Sequence, residues 1–337
     1  MKKLKTAIIG CGNISGVHVN AINKSNKAEL VAVVDIIEER AKKAAKLHDC
    51  KYFTDYRDLS KMDLDVVHIC TPHFFHYPMA VDMLESGFNV LVEKPLAITV
   101  KQAAEMIETA AINGQRLGVV YQNRFNENAL LVKKIIAEKI YGNILGIRGF
   151  LTWCRDKKYY QQDKWRGYYK TEGGGVLINQ AIHTLDLLSW FVGDVRAIKG
   201  HVDTRVLNDI IEVEDTAEAT IYYENGVVGL FYASNCFATN SPVEIEISFE
   251  KGSLKLIGDN LLITGDGKEY YNMKKKSSKY KSYWGNGHLK LIEGFYSDII
   301  EDKEENIIKG EEGLKTLQLI EGIYTSSRTG NKYILNK

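Results

Sequence analysis

The 337-residue sequence predicts an α/β fold: a parallel sheet covered on both faces by helices, then an antiparallel or mixed sheet, then a helical tail. Two patterns carry this prediction. From Leu4 to about Tyr121, short β-branched runs alternate with helix-length amphipathic segments, which is the grammar of βαβ units. Beyond residue 140, strand-like runs follow one another directly, separated by turn signals such as Glu224-Asn225-Gly226 and Lys251-Gly252.

In chain order, the parallel strands are expected at Leu4 to Ile9, Leu30 to Val34, Asp65 to Cys70, Asn89 to Val92 and Arg116 to Tyr121. Between them lie segments such as Glu38 to Leu47, where Ala41, Ala44, Ala45 and Leu47 form an apolar stripe. A helix is expected around Asn128 to Ile140. The second set of strands is expected at Ile144 to Trp153, Val195 to Val206, Thr216 to Tyr223, Val227 to Phe237, Val243 to Phe249 and Ser253 to Ile257. Helical spacing returns at His288 to Ile300 and Gly313 to Tyr324, segments expected to pack back on one of the domains. The Lys-rich stretch Lys274 to Lys281 reads as a solvated loop. The length exceeds what one core usually supports, so two domains are expected, 1–122 and 123–337.

Composition narrows the partners. Lys plus Arg number 44 against 43 Asp plus Glu, so no net field draws the chain toward nucleic acid or an anionic membrane, and a small-molecule partner is expected. The five cysteines are scattered without a CxxC pair, which points to a reducing compartment. No apolar run approaches the roughly 20 residues that cross a bilayer. The chain reads as cytoplasmic, and neither HExxH nor paired-cysteine spacing suggests a metal.

Gly10-Cys11-Gly12-Asn13-Ile14-Ser15-Gly16 directly follows the first strand and opens a helix. Gly10 permits a tight turn, and Gly12 lets the backbone amides that open the helix approach a pyrophosphate at its positive end. Ser15 stands in place of the usual third glycine. Asp35 ends the second strand, where a carboxylate accepts the adenosine ribose hydroxyls and repels a ribose phosphate; with Ile36 and Ile37 following, NAD is preferred over NADP. Glu93-Lys94-Pro95 sits at the carboxyl end of the fourth strand, the edge where open α/β sheets bind ligands. Pro95 biases Lys94 toward extended backbone, which keeps its ammonium out of a helix. A further block runs from Gly173-Gly174-Gly175 to Asp186. If the part after the glycines is one helix, Asn179, His183, Asp186 and Trp190 share a stripe. The glycine triplet would let a ligand approach the backbone closely.

With these pieces, Thr71-Pro72 with His76, Glu214-Asp215-Thr216 and the ending Ile320 to Lys332, nearly the whole chain resembles the glucose-fructose oxidoreductase and inositol dehydrogenase family, Gfo/Idh/MocA. The resemblance implies a Rossmann doubly wound parallel sheet followed by an α/β domain with a large, mostly antiparallel open sheet, whose exposed face builds homodimers or homotetramers. It implies Lys94 and His183 as catalytic groups, with Asn179 beside them. It also implies Thr71, Pro72, His76, Glu93, Pro95 and Gln122 around the nicotinamide, adding to Gly10, Gly12, Asn13, Ile14 and Asp35 as cofactor-binding residues. Asn179 stands where inositol dehydrogenase-like members carry Asp, and His73 where Asn is common.

The expected activity is hydride transfer between NAD and a secondary alcohol carbon of a sugar, nucleotide-linked sugar acid or cyclitol. An ammonium and an imidazole from the two halves are expected to meet beside the nicotinamide. Arg124, Arg155, Trp165 and Arg166 are candidates for the substrate, because arginine offers bidentate donors to carboxylate or phosphate. A UDP-linked uronic acid oxidised at carbon 3, a free aldose and inositol are all open. So is a non-catalytic protein that senses NAD(P).

Overall fold

A computed structural model describes residues 3–265, 268–272 and 287–335; the expected Lys274 to Lys281 loop lies outside the described residues. The chain divides into two compact units, Met1–Tyr121 with His288–Leu314, and Gln122–Gly287 with Lys315–Lys337.

In the first unit, six strands, β1 (Leu4–Ile9), β2 (Ala28–Val34), β3 (Lys51–Phe53), β4 (Val66–Ile69), β5 (Asn89–Val92) and β6 (Leu117–Val119), form one sheet in the order 3-2-1-4-5-6. Every neighbouring pair in it is parallel. Central strands are buried on both faces, which is why Val66-Val67 and Val90-Leu91-Val92 read as continuous apolar runs without alternation. The edge strand β3 was not expected: three partly exposed residues give too short a run to register. Helices α1 (Ser15–Lys24), α2 (Glu38–His48), α3 (His76–Glu85) and α4 (Val100–Ile112) connect the strands. The parallel arrangement brings Gly10, Asp35, Thr71 and Glu93 to the same carboxyl edge, with the reversal of strand order falling between β1 and β4.

In the second unit lie the helices α5 (Glu127–Ala137), α6 (Lys157–Gln162), α7 (Tyr169–Glu172), α8 (Val176–Asn179) and α9 (Ile182–Val192). Its nine strands are β7 (Ile144–Thr152), β8 (Val195–Asp203), β9 (Thr216–Tyr223), β10 (Val228–Ser234), β11 (Glu244–Phe249), β12 (Gly252–Ile257), β13 (Asn260–Gly265), β14 (Lys268–Asn272) and β15 (Tyr333–Ile334). They form one sheet in the order 14-13-12-11-7-10-9-8-15. Among the described residues, only the β7 and β10 pair in this sheet is parallel. Alternation is clean: Ile147, Gly149 and Leu151 face inward while Arg148 and Phe150 face out, as a sheet covered on one side requires.

Two helices close the chain. The helix α10 (Gly287–Glu301) packs in the first unit, where Phe295 is fully buried against Gly118. The helix α11 (Gly310–Thr329) counts with the first unit up to Leu314 and with the second thereafter. Three expectations change. The strand expected to reach Val206 stops at Asp203, because the Asp215 carboxylate takes the amides of Arg205, Val206 and Leu207 and turns the backbone out of the sheet. The strands β13, β14 and β15 lie beyond the last one expected. The single helix expected after Gly175 is two helices, α8 and α9, broken at Gln180-Ala181. Among the described residues, no helix is long and apolar enough to cross a membrane.

Candidate active site

In the first unit, the turn after β1 is built around Gly10 (φ +96°); a Cβ there would lie 2.8 Å from the Cys70 carbonyl oxygen, so glycine is required by backbone packing. At Gly12 a Cβ would meet nothing within 4 Å, which leaves space beside the start of α1. Ile14, in the N-cap position of that helix, supplies no side-chain cap to the first-turn amides. Ser15, in the place of the third glycine, donates its hydroxyl to the Gly12 carbonyl at 2.7 Å. The Asp35 carboxylate is held by the amides of Cys11 (2.9 Å) and Ile37 (2.8 Å). Thr71 follows β4 with a buried hydroxyl that has no hydrogen-bond partner among the described residues. Open space at Gly12, uncapped amides and an unsatisfied Thr71 hydroxyl on one sheet edge fit a dinucleotide.

Around β5, Glu93 is buried and Lys94 half-buried. Burial pushes the Glu93 carboxyl up, but the hydrogen bond from His18, with the His288 ring nearby, outweighs it and holds the group well below the ordinary carboxylate range. One carboxylate oxygen accepts the Lys94 amide at 3.2 Å. Pro95 and His76 have a structural use: the fully buried His76 ring bridges the Thr71 and Pro95 carbonyls at 2.9 and 2.7 Å, bracing the wall beneath Lys94.

In the second unit, His183 at the start of α9 is half-buried, and its Nε2 lies 3.4 Å from the Gln122 amide nitrogen. The Gln122 oxygen is buried without a partner among the described residues. Arg124 is where the structure corrects the sequence reading. Instead of standing open to an anion, its guanidinium is buried on Asp186, with Nε 3.0 and 3.1 Å from the two carboxylate oxygens and Nη2 2.6 Å from one of them. Trp190 packs over the same guanidinium at 5.6 Å. The break between α8 and α9 separates Asn179 from the rest of the expected stripe; His183, Asp186 and Trp190 stay together on α9, where Asp186 and Trp190 engage Arg124.

Arg155, Trp165 and Arg166 do come together. They form an alternating stack, Trp153, Arg155, Tyr159, Arg166, Trp165, with guanidinium-to-ring distances of 4.8, 5.0, 4.7 and 4.6 Å. Arg166 pairs with Asp163 at 3.0 Å, while the buried Nε of Arg155 has no hydrogen-bond partner among the described residues. The Tyr159 hydroxyl is met by Arg166, by Gln180 (3.1 Å) and by Asn179 (3.4 Å). The Asn179 amide nitrogen also donates to the buried Glu172 carboxylate, which further accepts the Gly167 amide. Tyr159, Glu172 and Gln180 were not legible in the sequence. Helices of four to six residues carry no measurable period, and only the Asp156 N-cap, accepting the Tyr159 amide at 2.9 Å, marks the turn.

Two glycines of the triplet, Gly174 and Gly175, have a structural use. A Cβ on Gly175 would sit 1.8 Å from the Glu214 carbonyl oxygen, and one on Gly174 2.2 Å from the Tyr324 hydroxyl. The Glu214 carboxylate in turn accepts the amides of Gly175 and Leu177, both at 2.9 Å, and the Tyr324 hydroxyl at 2.8 Å. Burial nevertheless drives this carboxyl up from its ordinary 4.5 to about 7. The folded protein then binds a proton more tightly than the unfolded chain, so Glu214 subtracts stability as pH rises from 4.5 through 7. Glu214→Gln removes that slope. Urea titrations should show wild-type stability falling relative to the variant by roughly 3 kcal/mol over that interval. Parallel pH profiles would contradict the assignment.

A family model described as "Oxidoreductase family, NAD-binding Rossmann fold" matches residues 4–121, and the "GFO/IDH/MocA C-terminal domain" matches residues 129–255. The chain belongs to the Gfo/Idh/MocA family of NAD-binding oxidoreductases. Among Gfo/Idh/MocA relatives, the D-glucoside 3-dehydrogenase of Escherichia coli (strain K12) is 27% identical, over 98% of this chain and 97% of its own. The glucose-6-phosphate 3-dehydrogenase of Bacillus subtilis (strain 168) is 27% identical over 87% of this chain and 78% of its own. The crystal structure of the WlbA dehydrogenase from Bordetella pertussis, in complex with NADH and UDP-GlcNAcA, superposes with a TM-score of 0.86 at 29% identity and covers 100% of both chains.

Proposed function

We propose that this chain oxidises a secondary alcohol of a nucleotide-linked sugar acid to a ketone, with NAD as acceptor, and that Lys94 and His183 are its catalytic residues. The observation that carries the substrate class is the alternating stack: two guanidiniums flanked by three aromatic rings, beside the Asn179 and Gln180 amides, suit a ligand that combines negative charge with flat rings. The likeness to a dehydrogenase crystallised with UDP-GlcNAcA supports the same class.

NAD, when bound, supplies the acceptor for the hydride leaving the alcohol carbon. His183 takes the hydroxyl proton. The Lys94 ammonium stabilises the alkoxide as charge develops on it, through a charge-assisted hydrogen bond. Asp35, already fixed by two amides, accepts the ribose hydroxyls and disfavours a ribose phosphate, which selects NAD over NADP. Gly10, Gly12, Asn13 and Ile14 would hold the pyrophosphate of NAD, and Thr71, Pro72 and Gln122 its nicotinamide half. Arg155, Trp165 and Arg166 hold the substrate, and Asn179, anchored by Glu172, orients it.

Absorbance at the reduced-nicotinamide band tests this with UDP-linked uronic acids, free aldoses and inositols, each with NAD and NADP. NADH formation with the UDP-linked acids is the expected result. Turnover confined to free aldoses or inositols would move the substrate class, and tight NAD binding with no turnover on any panel member would replace the enzyme with a sensor.

The outer face of the nine-stranded sheet carries Val228 (43% exposed) and Leu230 (53%) with Tyr232 and Phe150, an apolar stripe that supports homodimers or homotetramers. The five free thiols support a reducing compartment, the cytoplasm. A monomer mass by light scattering would refute the assembly, and recovery from a secreted fraction the location.

A further inference from the structure

Behind Glu93 in the first unit lies a row of buried groups that the chemistry above does not use: His18 of α1, His68 of β4 and Tyr296 of α10. The Tyr296 hydroxyl is 2.8 Å from His68 Nε2, His68 Nδ1 is 2.8 Å from His18 Nδ1, and His18 Nε2 is 2.9 Å from Glu93 Oε1. His18, His68 and Tyr296 are each 0% exposed.

The proton positions follow from donor and acceptor counting. A carboxylate only accepts, so His18 Nε2 carries a hydrogen. Two ring nitrogens 2.8 Å apart share one proton. Burial, with His18 beside it, holds His68 well below its ordinary value, so that ring is neutral. If His18 is neutral too, its Nδ1 is the acceptor, the shared proton belongs to His68 Nδ1, and His68 Nε2 accepts from Tyr296. Every donor then points toward Glu93. Were His18 doubly protonated, His68 would turn its Nε2 hydrogen onto the Tyr296 oxygen. The Tyr296 hydrogen would then need a second acceptor, and no other hydrogen bond to that hydroxyl is formed among the described residues.

We infer that Tyr296, His68 and His18 are positioning residues: a one-directional hydrogen-bond chain that holds Glu93 as an immobile carboxylate and, through its bond to the Lys94 amide, fixes the backbone from which the Lys94 ammonium projects. The chain ends inside the protein, since Tyr296 has no exposed surface, so it orients rather than conducting protons to solvent. His288, with Nε2 3.8 Å from Glu93 Oε1, adds a second imidazole on the same oxygen. The catalytic consequence rests on the role proposed above for Lys94; the proton positions do not.

Long-range proton-nitrogen correlation spectra of the full-length protein, labelled with nitrogen-15 in its eight histidines, read the tautomers directly. His68 protonated at Nδ1 alone and His18 at Nε2 alone is the expected pattern, with signals assigned by His18→Gln and His68→Gln. His68 protonated at Nε2, or His18 at both nitrogens, overturns the chain whatever the enzyme turns over.

Kinetics with UDP-glucuronic acid and NAD supply the second arm. Tyr296→Phe and His68→Phe should lower kcat roughly 10- to 100-fold, the scale of a small misplacement at the reacting centre, with both KM values little changed. His68→Gln, whose amide can donate to His18 and accept from Tyr296, should recover most of the loss. Should His68→Phe fail to fold, Tyr296→Phe, lacking a single oxygen, still decides. Wild-type kcat in a folded Tyr296→Phe protein would overturn the positioning role. A wild-type rate in Lys94→Ala would instead overturn the reading of Lys94.

Discussion

Lys94→Ala and His183→Ala are each expected to lower turnover roughly 100- to 10,000-fold, the usual worth of a positioned proton-transfer group, while NAD binding and the melting temperature stay close to wild type. Both side chains are only half-buried, so truncating them opens no large cavity and leaves the core contacts in place. Lys94 stands on a braced wall: Glu93 accepts its amide, and His76 ties the Thr71 and Pro95 carbonyls together beneath it. Losing the ammonium therefore removes charge stabilisation without removing the wall. Lys94→Arg should recover little, because a planar guanidinium does not replace a compact ammonium. Steady-state rates, cofactor titration by fluorescence and a thermal melt on the same preparations check all three statements. Near-wild-type rates in both alanine variants would end the catalytic assignment.

A second large effect falls on stability. Asp186→Ala leaves the Arg124 guanidinium buried under Trp190 with its carboxylate gone, and breaking such a pair costs about 3 to 5 kcal/mol. Urea unfolding should show that loss, and the double replacement Arg124→Met with Asp186→Leu should recover much of it, since an apolar pair avoids the buried charge. A loss below about 1 kcal/mol in Asp186→Ala would mean that water reaches Arg124 and that it behaves as a surface ion pair. This would reopen Arg124 as a ligand for substrate.

Much of the fold was readable without coordinates, for reasons that differ along the chain. Strands such as Val66–Ile69 and Asn89–Val92 are buried on both faces, and that demand writes itself as an unbroken apolar run. The exposed edge strand Lys51–Phe53 faces no such demand and left no mark. The stripe through Asn179, His183, Asp186 and Trp190 was legible as spacing, yet spacing assumed one uninterrupted helix, and the break at Gln180-Ala181 gave its two ends different neighbours.

The linear order alone determined the βαβ grammar, the glycine turn after the first strand, the acidic end of the second and the Glu93-Lys94-Pro95 edge, because each is set by residues within a few positions of one another. Only the tertiary structure decided that Arg124 belongs to Asp186, that Gly174 and Gly175 make room for Tyr324 and Glu214, and that Tyr296 stands at the far end of a row leading to Glu93. Those pairings join residues up to 228 positions apart in sequence, and a buried polar group takes whichever partner the packing brings within about 3 Å.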